Sequence, residues 1–395
     1  MARVKPFRAV RYDEQKAGPL GSLLALPYDV IGPELREQYL AANPYNAVRL
    51  ILPDSSDEAA KRFADWQREG ILTTEDEEAI WWLRQDYEGP DGVSRTRQGA
   101  VVSLGLEPYS KGIVRPHERT HAGPKKTQLD LMRATHAALS PLLLVYDDPA
   151  AGVRHALEAL AEGEPLLSAQ DGPSSNRLWR ITDPDAIAAA QAALADQQLV
   201  IADGHHRYET ALAYDEEQGS EQSGWTMAVL VNTQGEGLTI FPTHRVVGRV
   251  PELDNGFRVT PVSGGPEEAL AALEGVDREH PAFVLYHGGE AALVEAPGER
   301  ALDAAALERL GLEEVTYTPR ADEAVALVDS GRAEGAFLLR PPTIEQVEAV
   351  ADAGETMPQK STYFYPKLFS GLLFHPLGPT TGVASRPAEP ASGDA

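Results

Sequence analysis

Gln197-Gln198-Leu199-Val200-Ile201-Ala202-Asp203-Gly204-His205-His206-Arg207-Tyr208-Glu209-Thr210-Ala211-Leu212-Ala213-Tyr214-Asp215-Glu216-Glu217 decides how this chain is read. Residues 199–202 form a short apolar run, the pattern of a buried strand. Asp203-Gly204 is a turn signal. From His205 onward Tyr208, Ala211, Leu212 and Asp215 recur at spacings of three and four, the period of a helix. The order is strand, tight turn, helix, with Gly-His-His-Arg in the helix's first turn. A helix start presents unpaired N–H groups and a partial positive charge. Gly204 permits close approach to the backbone, and two imidazoles and a guanidinium add donors. Such a turn suits an oxyanion, phosphate above all. Strand ends in α/β sheets also open onto ligand crevices.

Working outward, the chain has 395 residues, enough for two domains or one elaborate one. With 43% hydrophobic and 24% charged residues it is globular. A net charge of −25 argues against nucleic-acid or anionic-membrane partners, which require a basic face. The absence of cysteine excludes disulfides, thiolate metal sites and cysteine nucleophiles. No apolar run reaches the roughly 20 residues that span a bilayer. The N-terminal residues lack the apolar core of a signal peptide, so a cytoplasmic protein is expected.

Upstream of the motif, the pattern predicts a strand over 4–12, a helix over 33–42 opened by Pro33, a strand over 48–52 and an amphipathic helix over 57–70. Strands over 80–87 and 98–106 flank Gly89-Pro90-Asp91-Gly92, hence a hairpin. Residues 111–126 carry five Lys or Arg, two His and one acid, broken by Gly and Pro. In an acidic chain this loop is a candidate anion-binding element. A helix over 127–138, a strand over 142–146 and Ala-rich helices over 149–165 and 184–196 follow. Downstream, 227–232 and 238–241 read as a second hairpin, followed by His244-Arg245 at a strand end, which reads as structural. Residues 250–355 alternate strands and helices like a second α/β unit. Residues 357–377 mix aromatics and lysines without period, as a strap that crosses the body and lends side chains to a site. The organisation expected is 1–245, 246–356, a closing strap at 357–378 and a disordered tail at 379–395. His117-Glu118-Arg119-Thr120-His121 matches His-Glu-x-x-His, but Pro116 and Gly123-Pro124 leave barely two turns for the helix that a zinc hydrolase needs.

Four separated stretches resemble the DUF1015 family over roughly 4–377: Pro27-Tyr28-Asp29-Val30-Ile31, Pro116-His117-Glu118-Arg119-Thr120, residues 203–211, and Lys360-Ser361-Thr362-Tyr363-Phe364-Tyr365-Pro366-Lys367. More remotely, Asp203-Gly204-His205-His206-Arg207 resembles the ParB/sulfiredoxin superfamily, which includes free-serine kinases. That resemblance implies a mixed α/β fold, in which a ParB/sulfiredoxin-like strand-turn-helix phosphate site sits in a larger two-lobed mixed-sheet protein. It also implies that Gly204, His205, His206 and Arg207 hold phosphate beside Asp203. Sulfiredoxin needs Cys where this chain has His205, so its redox chemistry is excluded.

The expectation is a phosphotransferase on a small hydroxylated, serine-like metabolite, using ATP or ADP with Mg²⁺. Asp203, His205, His206 and Glu118 are the candidate catalytic residues. Gly204, His205, His206, Arg207, Arg119, Lys125, Lys360 and Lys367 are candidates for phosphate, and Tyr28, Asp29, His117 and Tyr365 for substrate. A phosphatase of phosphoserine or a similar ester, and a non-catalytic nucleotide switch, remain open.

Overall fold

The computed structural model describes residues 1–120, 122–171, 174–253, 256–298 and 301–378; the tail expected to be disordered lies outside them. The fold is mixed α/β, built on two large sheets. The first runs in the order Val114–Arg115, Leu199–Asp203, Leu142–Tyr146, Trp225–Asn232, Ser94–Gly105, Ile80–Glu88, Ser174–Ile181 and Leu167–Asp171, with Val4–Lys5 also pairing with Ser94–Gly105. The motif strand pairs parallel with Val114–Arg115 and antiparallel with Leu142–Tyr146, which itself runs parallel to Trp225–Asn232. Leu142–Tyr146 is buried at every position, so it reads as one apolar run rather than an alternation. The hairpin of Ile80–Glu88 and Ser94–Gly105 forms as its turn signal predicts.

The second sheet orders Arg258–Val262, Glu290–Glu295, Ala282–His287, Gly335–Leu338, His244–Val247 and Thr316–Thr318. Every pairing in it is antiparallel, although strands and helices alternate along the chain. Successive residues serve opposite faces. Val284, Ala336 and Leu338 pack under the helices Pro266–Glu274 and Ala321–Asp329, while Phe283 and Phe337 pack on the other side with Leu307. This sheet begins at His244, two residues before the expected boundary. The helix Ile344–Asp352 returns to the first core through Val347 and Ala351.

Several sequence expectations need correction. Residues 4–12 are two strands, Val4–Lys5 and Val10–Tyr12, in different sheets, parted after Pro6. Residues 48–52 contain a helical turn, Val48–Ile51, because an apolar run this short is as compatible with buried helix as with strand. The helix expected at 127–138 is Ala122–Thr135, and that expected at 149–165 is Gly152–Leu157 with a 3-10 turn after it. The second hairpin does not form. Thr239–Phe241 pairs with Tyr363–Tyr365 of the strap, because the intervening chain lies flat on Thr96, where a Cβ at Gly237 would come within 1.9 Å of the Thr96 carbonyl oxygen. The strap then pairs through Phe374 with Val10 and through His375–Pro376 with Ala137–Ala138, burying Phe364, Leu368, Leu373 and Phe374.

Candidate functional site

The motif strand ends at Asp203 and the helix His205–Gln218 begins two residues later. Gly204 has φ 101°, a conformation that side chains disfavour, and a Cβ there would sit 2.8 Å from Leu142 Cδ2. No side chain caps this helix at its start. Tyr208, Ala211 and Tyr214 bury the opposite face, and the Tyr208 hydroxyl donates to the Glu107 carbonyl at 2.8 Å. The helix is held by its apolar stripe and leaves its start open.

Asp203 is gripped from two sides. Arg207 Nη2 donates to its Oδ2 at 2.5 Å, and Lys367 Nζ, from the strap, bonds Oδ1. Arg207 Nη1 also bonds the Pro141 carbonyl. Burial opposes the carboxylate, but the two cations overcome it and hold Asp203 below the ordinary range. Asp203 is therefore a poor proton acceptor. Arg207, itself buried, is committed to Asp203 and Pro141 rather than free for a ligand. Lys367 has its Nζ 4.9 Å from the Tyr363 ring centroid.

His205 and His117 form a buried edge-to-face pair with centroids 4.6 Å apart. The His117 backbone N–H donates to His205 Nε2 at 3.2 Å. His117 Nδ1 lies 2.6 Å from the Ile201 carbonyl, which only a ring N–H can satisfy, so Nε2 accepts from the Thr362 hydroxyl at 3.0 Å. Both rings are neutral. Burial pushes His117 down to about 4 and His205 well below its ordinary value, with His117 adding to the latter. The catalytic role expected for His205, and the substrate role expected for His117, do not fit these buried, bonded rings.

In front of this layer lies a cavity that opens to solvent. Its walls are Tyr28 and Asp29 from an N-terminal turn, Glu118, residues 202–207 from the motif, and Lys360, Thr362, Tyr363 and Lys367 from the strap. Glu118 is positioned by its neighbours: the Met357 N–H donates to the His117 carbonyl at 2.7 Å, tying 117–118 to the strap. Burial raises its carboxyl to about 7, although the Lys360 charge and backbone N–H and the Lys367 charge pull the other way. Lys360 Nζ stands 3.9 Å from Asp29 Oδ2 across the cavity. Tyr28 is raised to about 12, chiefly by burial. His205 and His206 both line the cavity, His205 buried against His117 and His206 half-buried.

Of the residues singled out in the sequence, Tyr28, Asp29, Glu118, Asp203, Gly204, His205, His206, Arg207, Lys360 and Lys367 line one cavity. The sequence missed Thr362 and Tyr363, whose signal was their position two and three residues beyond Lys360. Arg119, Lys125 and Tyr365 do not line it. Arg119 pairs with Glu308 at 3.0 Å, Lys125 pairs with Glu209, and Tyr365 packs against Tyr87 and Phe241. The whole basic loop is neutralised in this way, with Lys111 on Glu107, Arg115 on Asp352 and Lys126 on Asp130. An acidic chain supplies a carboxylate for each cation, so of this segment it is the lone acid, Glu118, that enters the cavity. The zinc pattern fails as well. Residues 117–120 are not helical, both His117 nitrogens are bonded, and His121 lies outside the described residues. No cluster of three or more His, Asp or Glu side chains suited to a metal occurs among the described residues, and no helix among them is long and apolar enough to cross a membrane.

A family model described as "Protein of unknown function (DUF1015)" matches residues 4–312. No curated protein matches the chain. Among solved structures, a conserved hypothetical protein from Pyrococcus furiosus is similar at 15% identity and TM-score 0.37, covering 68% of this chain and 92% of that one. A free serine kinase in complex with AMP is similar at 13% identity and TM-score 0.38, covering 67% and 86%. SbnI from Staphylococcus aureus, with a C-terminal truncation, is similar at 11% identity and TM-score 0.38, covering 70% and 87%.

Proposed function

The chain belongs to the DUF1015 family, and we propose that it is a phosphotransferase acting on a small hydroxylated metabolite in the cavity before Gly204. The observation that carries this reading is the meeting, in one cavity, of an uncapped helix start, Lys360 and a carboxyl raised to about 7. Phosphoryl transfer asks for these parts: donors around the equatorial oxygens and a base for the attacking hydroxyl. The first-turn amides, His206 and Lys360 hold the transferred phosphoryl group. Glu118, as carboxylate, takes the hydroxyl proton, and its raised pKa suits it to exchange that proton near neutrality. Asp203 is a positioning residue: it fixes Lys367 and Arg207 and so sets the strap against the motif.

The phosphoryl donor in this reading is ATP or ADP, which supplies the group and leaves one phosphate shorter. Mg²⁺ fits the hard oxygen donors on the wall, of which Asp29 is the accessible carboxylate. Serine is the first acceptor to test, given the resemblance of residues 203–207 to the free-serine kinases. Incubation with serine and ATP or ADP should yield phosphoserine, and Glu118→Gln should abolish turnover while retaining nucleotide binding. Release of phosphate from phosphoserine without nucleotide would redirect the assignment to a phosphatase. Saturable nucleotide binding with no product from any small hydroxylated acceptor would favour a non-catalytic switch and end the enzymatic reading.

A further inference from the structure

Behind the strap, between it and the second sheet, lies another pocket, partly open to solvent. It shares a wall with the first one. Lys360 and Thr362 face the site described above, whereas Ser361 between them faces this one. Two arginines on its lining are treated very differently by the fold. Arg340 is neutralised: its Nε and Nη2 donate to the two Asp303 carboxylate oxygens at 2.9 and 2.8 Å, and Nη1 donates to the Val276 carbonyl at 2.7 Å. Arg245, only 6% exposed, has no carboxylate within 4 Å among the described residues. Its Nη1 donates to the Thr243 carbonyl at 2.6 Å, its Nη2 lies 3.4 Å from the Lys360 carbonyl, and its guanidinium sits 5.6 Å from the Tyr317 ring centroid. Next to it Thr243, 5% exposed, has a hydroxyl with no hydrogen-bond partner among the described residues.

Glu118 and Glu308 act on Arg245 only at a distance. A buried guanidinium with no carboxylate in direct contact is costly, and so is a buried hydroxyl without a partner. Both deficits lie on one cavity, and one oxyanion would relieve both. We propose that this cavity is a second binding site, which takes a small organic anion through one carboxylate or phosphate group held by Arg245 and Thr243. Leu302, Leu339 and Met357 on the same wall suit a short carbon skeleton behind that group. The proposal does not rest on the phosphotransferase reading. It does place the anion against the backbone of Lys360, whose side chain serves the first cavity.

The test titrates the full chain by calorimetry with inorganic phosphate and, separately, with succinate. Arg245→Met should weaken binding of the preferred anion by about tenfold or more, as loss of one charge-assisted contact does. Thr243→Val should weaken it in the same direction, and Lys360→Ala, whose side chain serves the first cavity, should leave the Arg245-dependent binding in place. A response to phosphate alone identifies a phosphate ester, and a response to succinate alone a carboxylate. Selenate soaked into crystals of the unaltered protein gives a readout that needs no variant: an anomalous peak is expected within hydrogen-bond distance of Arg245. If both Arg245 and Thr243 variants bind as the parent does, or if selenate settles only elsewhere, the proposal is overturned. Loss of activity in Lys360→Ala with this binding intact would separate the two sites.

Discussion

Replacing Glu118 by Gln should make the protein more stable and less active at once. In the folded chain its carboxyl is raised from the ordinary 4.5 to about 7, chiefly by burial. At about 1.4 kcal/mol per pH unit, the charged form costs on the order of 3 kcal/mol of folding free energy. The sign follows from the direction of the shift. Between 4.5 and 7 the folded chain binds more protons than the unfolded one, so this group's contribution is lost as pH rises through that window. Gln keeps the shape and can still accept the Lys360 backbone N–H, but it carries no charge. Urea unfolding of parent and variant should therefore agree within about 1 kcal/mol at pH 5 and differ by up to about 3 kcal/mol, variant ahead, at pH 8.5. Comparing the two proteins cancels every other titrating group. On the proposed mechanism the parent's rate rises with pH through about 7, and the variant loses on the order of 10²–10⁴ in kcat. A stability difference that does not grow with pH would refute the raised carboxyl, and a variant that turns over normally would refute its role as base.

Lys367→Met should destabilise the chain by about 3 kcal/mol in urea, because Asp203 would keep one of its two buried cations; adding Asp203→Asn should recover part of the loss, and no recovery would mean the pair is not coupled. Burial holds His117 and His244 down to about 4 and His375 to about 3. The unfolded chain then binds more protons below about 6.5, so the thermal midpoint should fall steadily from pH 6.5 towards 4; a flat midpoint over that range would show the rings are charged in the fold. Gly204→Ala forces a side chain into φ 101° and against Leu142, which should cost about 1–3 kcal/mol and shift the helix start, read as a lowered midpoint together with weaker phosphate binding.

Local pattern determined a good deal of this protein. The apolar run ending at Asp203, the glycine and the helical spacing of Tyr208 and Ala211 specify strand, turn and helix, since backbone conformation and period act over a few residues. The four family-like stretches also marked most of the residues that meet around the cavity. Which charges are free was decided only in three dimensions. Arg207, Arg119 and Lys125 look alike in sequence to Lys360 as phosphate ligands, yet Arg207 is committed to Asp203 of its own motif, and Arg119 and Lys125 to carboxylates contributed by distant parts of the chain. His205 and His206 are neighbours in the chain and both line the cavity, but one is buried against His117 and the other is half-buried. Thr239–Phe241 carries a strand pattern that says nothing of its partner, and the strap took that edge. Strand pairing, burial and ion pairing join residues far apart in the chain, so period and composition record that a group exists but not what it finally faces.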